Sequence, residues 1–429
     1  MARTTNFSDL TFNCLLLIFK LLDNLEDQVN LALCCRRFRE AFAYLHRKRF
    51  EAIVDSDIKL RNMDNWRAFL WLCGGNVKSL RCYHDDDHPL QILPLVARYC
   101  VRLESITLRN ATISKAQPYL LQLRTLRKVY VRNYKSTSID LIKAMKLRLP
   151  HIQNLGLENF ERRELQELRH FTNLEELQMY DEVTAADFQA ITKSLRNLRI
   201  LQLRNANKFL TTQTLKQLAS NCPQLTKLCF QDSDAELTAL ALFPQLNYLQ
   251  LHCPDSQKKR LFKTMSRQSG MPLEYLILHR KRWIDEDQAQ RIGAIKPLKW
   301  LVCKPRNDRC VYHLANLTQL ECLSVQCARD IGEAELLHLI RNNDHLRYLN
   351  ICYCLGITDA FIVDTIAILA KRPNQQPLVL YAAATDIRHD IMERLPADFA
   401  SKLLVLYFEC SQGMKSGDHY YNDEPEFDR

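Results

Sequence analysis

The sequence predicts an α/β solenoid, with short parallel strands lining one side of the chain and helices the other. Three observations carry this expectation. A pattern L-x-x-L-x-L recurs along the chain, as LESITL from Leu103, LEELQM from Leu174, LNYLQL from Leu246 and LRYLNI from Leu346. Its starts fall at 77, 103, 126, 152, 174, 198, 225, 246, 273, 298, 320 and 346, so the period is 21–27 residues. Between the strands, Ile139–Lys146, Ala185–Leu195, Thr212–Ala219, Ala235–Leu242, Glu333–Ile340 and Asp359–Leu369 place apolar residues three or four apart, the spacing of a helix with one buried face.

A single repeat of this size cannot bury its own apolar face, so repeats stack and share one continuous core. Because a helix is wider than a strand, the stack is expected to curve into a right-handed horseshoe. Its parallel sheet would then be concave and its helices convex. Weaker strands around Leu378–Leu380 and Leu403–Phe408 extend the array over residues 77–410, about 14 irregular repeats, with an irregular stretch at Lys371–Pro377.

Alternation along each strand divides it into two faces. Counting from the first leucine, places 4 and 6 turn into the core, as Leu349 and Ile351 do, while places 3, 5 and 7 turn outward. Place 3 then carries Tyr248, Tyr275, Trp300 and Tyr348, and place 7 carries His252, His279 and Lys304. Upstream, Arg109, Lys128, Arg132 and Arg204 point outward with Tyr130, interrupted by Glu158 and Glu176. Rigid aromatics are efficient interface anchors, and the cations suit an acidic or phosphorylated protein segment. The other reading of the aromatic column is filler on a strongly curved face, or packing beneath the C-terminal tail. The cations form no uninterrupted groove with regular stacking, so a nucleic-acid partner is not expected.

Composition excludes other classes. The chain has 429 residues, 47% hydrophobic, with only 9 Gly and 14 Pro, which argues against wholesale disorder. The net charge of +10 is spread rather than massed. No signal peptide and no stretch of about 18 apolar residues is legible, so no membrane span is expected. The 16 cysteines mostly fall where repeats want a small apolar group, which favours reduced thiols in the cytoplasm, the nucleus or both. The run HDDDH at 84–88 mimics a metal cluster, but it follows a strand directly and reads as a solvated loop. No hydrolase, metalloprotease, P-loop or dinucleotide signature is present. Cys34–Cys35 lacks a matched histidine or carboxylate. Neither catalysis, a metal nor a cofactor is expected.

Residues 1–50 lack the repeat. LTFNCLLLIFKLL, a polar break at Asp23–Asp27 and QVNLALCCRRFREAFAYL read as amphipathic helices, with Asp23, Asn24 and Asp27 suited to interrupt and cap them. So small a helical segment needs a neighbour or a partner to complete its core. Leu10, Ile18–Phe19, Leu22, Asp27, Leu31–Ala32–Leu33, Cys35, Arg36–Arg37 and Phe38 resemble the F-box, the helical module that docks on the Skp-type adaptor of cullin-based ubiquitin ligases. Thr11 departs from the usual proline and Phe38 from the commoner tryptophan. The resemblance implies that Leu10, Leu15, Ile18, Phe19, Leu22, Leu31, Cys35 and Phe38 form or support the docking module.

Residues 51–76 read as a helical connector with a helix over Met63–Leu72, stopped by Gly74–Gly75. In the array, Cys354, Ile357–Thr358–Asp359, Leu218–Ala219 and Cys222–Pro223 resemble the cysteine-containing leucine-rich repeats of F-box proteins. Together the resemblances imply a substrate receptor, linked through the adaptor to a cullin scaffold, that holds an unknown protein substrate on its concave face. The alternative is a leucine-rich-repeat scaffold merely capped by the N-terminal helices. Residues 411–429 form an acidic tail, GDHYYNDEPEFDR from Gly417. It reads either as a solvated tail or as an internal occupant of the concave face.

Overall fold

The computed structural model describes residues 10–83, 88–133, 140–204, 206, 209–231, 237–252, 255–267, 272–278, 283–328, 330–372, 376–395 and 402–408. The expectations for the HDDDH run, for His279 and for the tail lie largely or wholly outside them, as does the side chain of His252. The chain divides into two compact units, one of residues 1–210 with 220–224, the other of 211–219 with 225–429.

The first unit opens with helices α1 (Phe12–Leu21), α2 (Leu25–Cys34) and α3 (Arg36–His46). Their starts follow from capping: the Thr11 hydroxyl accepts from the Cys14 N–H and the Asn24 side chain from the Glu26 N–H. Strand and helix then alternate as β1 (Ala52–Val54), α4 (Met63–Cys73), β2 (Ser79–Cys82), α5 (His88–Tyr99), β3 (Ser105–Ala111), α6 (Ile113–Leu120), β4 (Lys128–Asn133), α7 (Leu141–Arg148), β5 (Asn154–Glu158), α8 (Arg162–Leu165), β6 (Glu176–Met179), α9 (Ala185–Thr192) and β7 (Ile200–Leu203). Neighbouring strands pair in parallel, and the register sets Ile53, Leu80, Ile106, Val129, Leu155, Leu177 and Leu201 side by side. All seven are buried. They are place 4 of successive repeats, and β1 brings Ile53 of the connector into the same row.

Helix α10 (Thr212–Asn221) follows. The second unit continues as β8 (Lys227–Gln231), β9 (Tyr248–His252), α11 (Asp255–Arg267), β10 (Tyr275–Leu278), α12 (Glu286–Gly293), β11 (Trp300–Val302), α13 (Asp308–Leu314), β12 (Cys322–Ser324), α14 (Glu333–Asn342), β13 (Tyr348–Asn350), α15 (Asp359–Leu369), β14 (Leu378–Tyr381) and β15 (Leu404–Tyr407). Its core row runs Leu228, Leu249, Leu276, Leu301, Leu323, Leu349 and Leu380. Caps again mark the helix starts. Asp285 and Gln288 form a reciprocal capping box on α12, and Thr358 caps α15.

One expected helix takes another form. Over Leu237–Leu242 the chain is a 3-10 helix. The repeat starting at Leu225 is followed by the next at Leu246, the shortest interval of the array. A 3-10 turn rises about 2.0 Å per residue against about 1.5 Å in an α-helix, so fewer residues span the same return path. The short repeat beginning at Ile152 uses the same device at Gln166–His170.

Arg372 shows how an array closes its helix ends. It is 5% exposed and donates to the carbonyls of Ile340 at 2.8 Å, Asn343 at 2.7 Å and Leu346 at 3.0 Å. These lie at and beyond the C-terminal end of α14, where helical carbonyls lack partners of their own. Arg372→Met keeps the apolar stem and strips all three acceptors of a charged donor, which is expected to cost about 3 kcal/mol. Amide-exchange protection of α14 and α15 checks this, and unchanged protection would refute it.

Candidate protein-interaction surfaces

The N-terminal helices bury one face and leave another open. Leu15, Phe19, Val29, Ala32, Phe38 and Phe42 form the core, with Phe19 edge-on to Phe38 at 6.2 Å and to Phe42 at 5.9 Å. Leu10, Ile18, Leu22, Leu31 and Cys35 are half-buried. On α1, Cys14, Leu17 and Leu21 stand three and four residues apart on the opposite side. All three are exposed, Leu17 by 58% and Leu21 by 81%. Leu33 and Tyr44 add open apolar surface on α2 and α3.

A buried polar link holds this module together. Gln28 donates its amide to the Phe19 carbonyl at 3.2 Å and to the Leu22 carbonyl at the end of α1. Its oxygen meets His46 Nε2 at 2.7 Å. Since the amide nitrogen is committed to carbonyls, the oxygen must accept, and His46 is the neutral tautomer with its proton on Nε2. Arg37 ties the module to the segment that enters α1 by donating to the Leu10 carbonyl at 2.6 Å.

In the second unit, the strand face away from the helices carries an aromatic ladder. Register aligns Lys227, Tyr248, Tyr275, Trp300, Cys322, Tyr348, Val379 and Val405. Lys227 Nζ lies 4.3 Å from the Tyr248 ring centre. Ring centroids are 5.8 Å apart for Tyr248–Tyr275, 6.3 Å for Tyr275–Trp300 and 6.5 Å for Trp300–Tyr348. The last pair sits two strands apart, about 9.6 Å at the backbone, so the rings lean together over Cys322, which is fully buried. Next to this row runs a second, with Gln250, Ile277, Val302, Ser324, Asn350, Tyr381 and Tyr407. Tyr381 and Tyr407 stack at 5.2 Å.

The ladder is less open than alternation alone implies. Tyr248 is 7% and Trp300 9% exposed, whereas Tyr348 is 36% exposed. Large open groups concentrate instead at Tyr348, Tyr353, Leu355 and Tyr407. Tyr353 occupies a left-handed turn at φ 61°, as do Cys327 at 61° and Ala384 at 54° in the neighbouring repeats. Tyr353 and Leu355 escape the sequence reading because they lie in turns that strand alternation does not describe. Lys304 stands at the same strand edge, 4.1 Å from the Trp283 ring centre.

In the first unit the basic residues are internally matched. Arg109 lies over Tyr83 at 4.6 Å. Arg132 and Arg204 flank Glu158 at 3.4 and 3.6 Å, and Arg204 also covers Tyr180 at 4.9 Å. Tyr130 lies across Gly156 so closely that a Cβ there would overlap its ring. Lys128 sits in register with Asn154, which donates to the buried Glu176 at 2.6 Å. The expected basic sector is therefore a mixed row in which Arg132 and Arg204 share Glu158.

Residues 7–50 match the F-box domain family. The N-terminal module is an F-box domain. A search of curated proteins finds no match to the chain. Among solved structures, an internalin (inlF) from Listeria monocytogenes shares 16% identity over 78% of this chain and 90% of its own, with a TM-score of 0.37. A chain of the Rad7 and Elc1 complex from yeast shares 14% identity over 93% of this chain and 93% of its own, with a TM-score of 0.49. The TLR13–ssRNA13 complex gives 18% identity over 78% of this chain and 50% of that one, TM-score 0.46.

The F-box domain is thus followed by parallel leucine-rich-repeat strands alternating with helices, an architecture for protein–protein interaction. Among the described residues every cysteine is a free thiol, and burial pushes those of Cys100, Cys222 and Cys354 up to about 12. Such thiols are packing groups rather than nucleophiles. Among the described residues no three His, Cys, Asp or Glu side chains are grouped to hold a metal, and no helix is long and apolar enough to cross a membrane.

Proposed function

We propose that this protein is the substrate-recognition subunit of a cullin-type ubiquitin ligase, acting in the cytoplasm, the nucleus or both. Its F-box domain docks on a Skp-type adaptor, and the outer strand face of the second unit holds a protein substrate. The observation that carries the reading is the open apolar stripe of α1 on a module whose family is defined by adaptor docking. Exposed leucines on a small helical domain cost solubility unless a partner covers them. The receptor performs no covalent step: it raises the effective concentration of the substrate near the conjugating machinery.

The test is co-purification of the intact chain with a Skp-type adaptor, alongside an F-box protein that binds it. Failure of this chain alone would leave the scaffold reading. Substrate capture is read separately. Tyr348→Ala with Tyr381→Ala should lower recovery of ubiquitinated partners at least about tenfold, the loss of two interface anchors. Tyr312→Ala, an exposed ring on α13 stacked 5.0 Å from His338, should leave recovery unchanged. Equal recovery from both variants would remove the aromatic face from the substrate site.

A further inference from the structure

We infer that residues 417–429 of this chain fold back onto the aromatic face of the second unit and occupy it in cis, competing with substrate. The inference rests on the reading of that face as the substrate site and names the chemistry it selects: an acidic, tyrosine-bearing extended segment. Across β8–β15 the outward positions carry Lys227, aromatic rings, aliphatic side chains and neutral polar groups such as Gln250, Ser324 and Asn350, with no carboxylate in either register row. Lys304 adds a second cation at the edge where β11 ends. The segment GDHYYNDEPEFDR is the complement, with five carboxylates, two tyrosines and a phenylalanine against a single arginine.

Geometry permits the contact. The last described strand, β15, ends at Tyr407, whose ring stacks on Tyr381 in the outer row, so the described chain ends beside that face. Residues 409–429 extend at most about 70 Å. The distance from β15 to β9 is six strand spacings, about 29 Å. A tether this short supplies an effective concentration on the order of millimolar. Even a contact of tens of micromolar affinity would then keep the face occupied until a better partner arrives.

The probe is a fluorescent peptide of residues 417–429, titrated against the full chain and against the full chain carrying Tyr420→Ala, Tyr421→Ala and Phe427→Ala. The peptide should bind the substituted chain at least about tenfold more tightly than the unaltered one. Adding Lys304→Glu to the substituted chain should weaken it again by a severalfold factor that shrinks with salt. Equal affinity for both chains, or no binding to the substituted one, overturns the inference. So does a dimer of the unaltered chain that the three substitutions dissociate, which would place the segment on a second copy. If the peptide binds as expected while Tyr348→Ala with Tyr381→Ala loses no cellular partner, the inference stands and the substrate reading fails alone. If partners are lost and the peptide does not bind, the inference fails alone.

Discussion

Leu17→Asp with Leu21→Asp should abolish adaptor binding, a loss of at least about a hundredfold, while the protein stays folded. Both side chains are more than half exposed on α1, so in the free chain the change removes little buried area. It costs only a few tenths of a kcal/mol in helix propensity at each site. At a docked interface, each leucine would be replaced by a desolvated carboxylate without a partner, and two such positions exceed about 3 kcal/mol together. The comparison that gives the result meaning is Phe19→Asp. Phe19 is fully buried between Phe38 and Phe42, and a carboxylate there should unfold the F-box domain outright. Circular dichroism and adaptor titration of the two variants separate docking from folding. Wild-type affinity in the Leu17, Leu21 variant would move the docking surface elsewhere on the module.

Acidification should loosen the F-box domain well before general acid denaturation. Burial, reinforced by Arg49, lowers His46 from 6.5 to about 4. In the folded domain a second proton would sit on Nδ1, which is buried and has no hydrogen-bond partner. The unfolded chain takes that proton near pH 6.5, while the folded chain refuses it until about pH 4. The stabilisation is therefore complete above pH 6.5 and is lost as pH falls toward 4, at about 1.4 kcal/mol per unit and about 3 kcal/mol in all. Glu164 and Asp181, elsewhere in the same unit, act in the opposite direction, since burial raises their carboxyls to about 7 and about 6. Hydrogen exchange resolved to α1–α3, corrected for intrinsic rates, isolates the histidine. His46→Gln preserves a donor to Gln28 and should flatten the local profile. The same slope in both proteins would exclude His46 as its source.

How much was legible in advance varies with the length scale of the interaction. Leucines at places 4 and 6 lie where alternation puts them, and register then aligns Leu249, Leu276, Leu301, Leu323 and Leu349 without exception. Of the residues suited to cap at the polar break, Asn24 caps α2 for the same local reason. The F-box residues mark the module, but spacing alone does not distinguish Phe19, which is core, from Leu17, which is open. Both are apolar and helical, and only the direction in which α3 packs against α1 divides them.

The sequence by itself determined the repeat, the strand faces and the identity of the N-terminal domain, because each is written in the spacing of apolar residues along the chain. Tertiary structure decided which outward groups remain available. Parallel strands about 4.8 Å apart bring rings from separate repeats into contact, so Tyr248 and Trp300 are covered while Tyr348 and Tyr353 stay open. The same stacking carries Glu158 between Arg132 and Arg204, pairing one carboxylate with cations from two separate repeats. Local patterning orients a side chain, but its exposure depends on neighbours one or two repeats away.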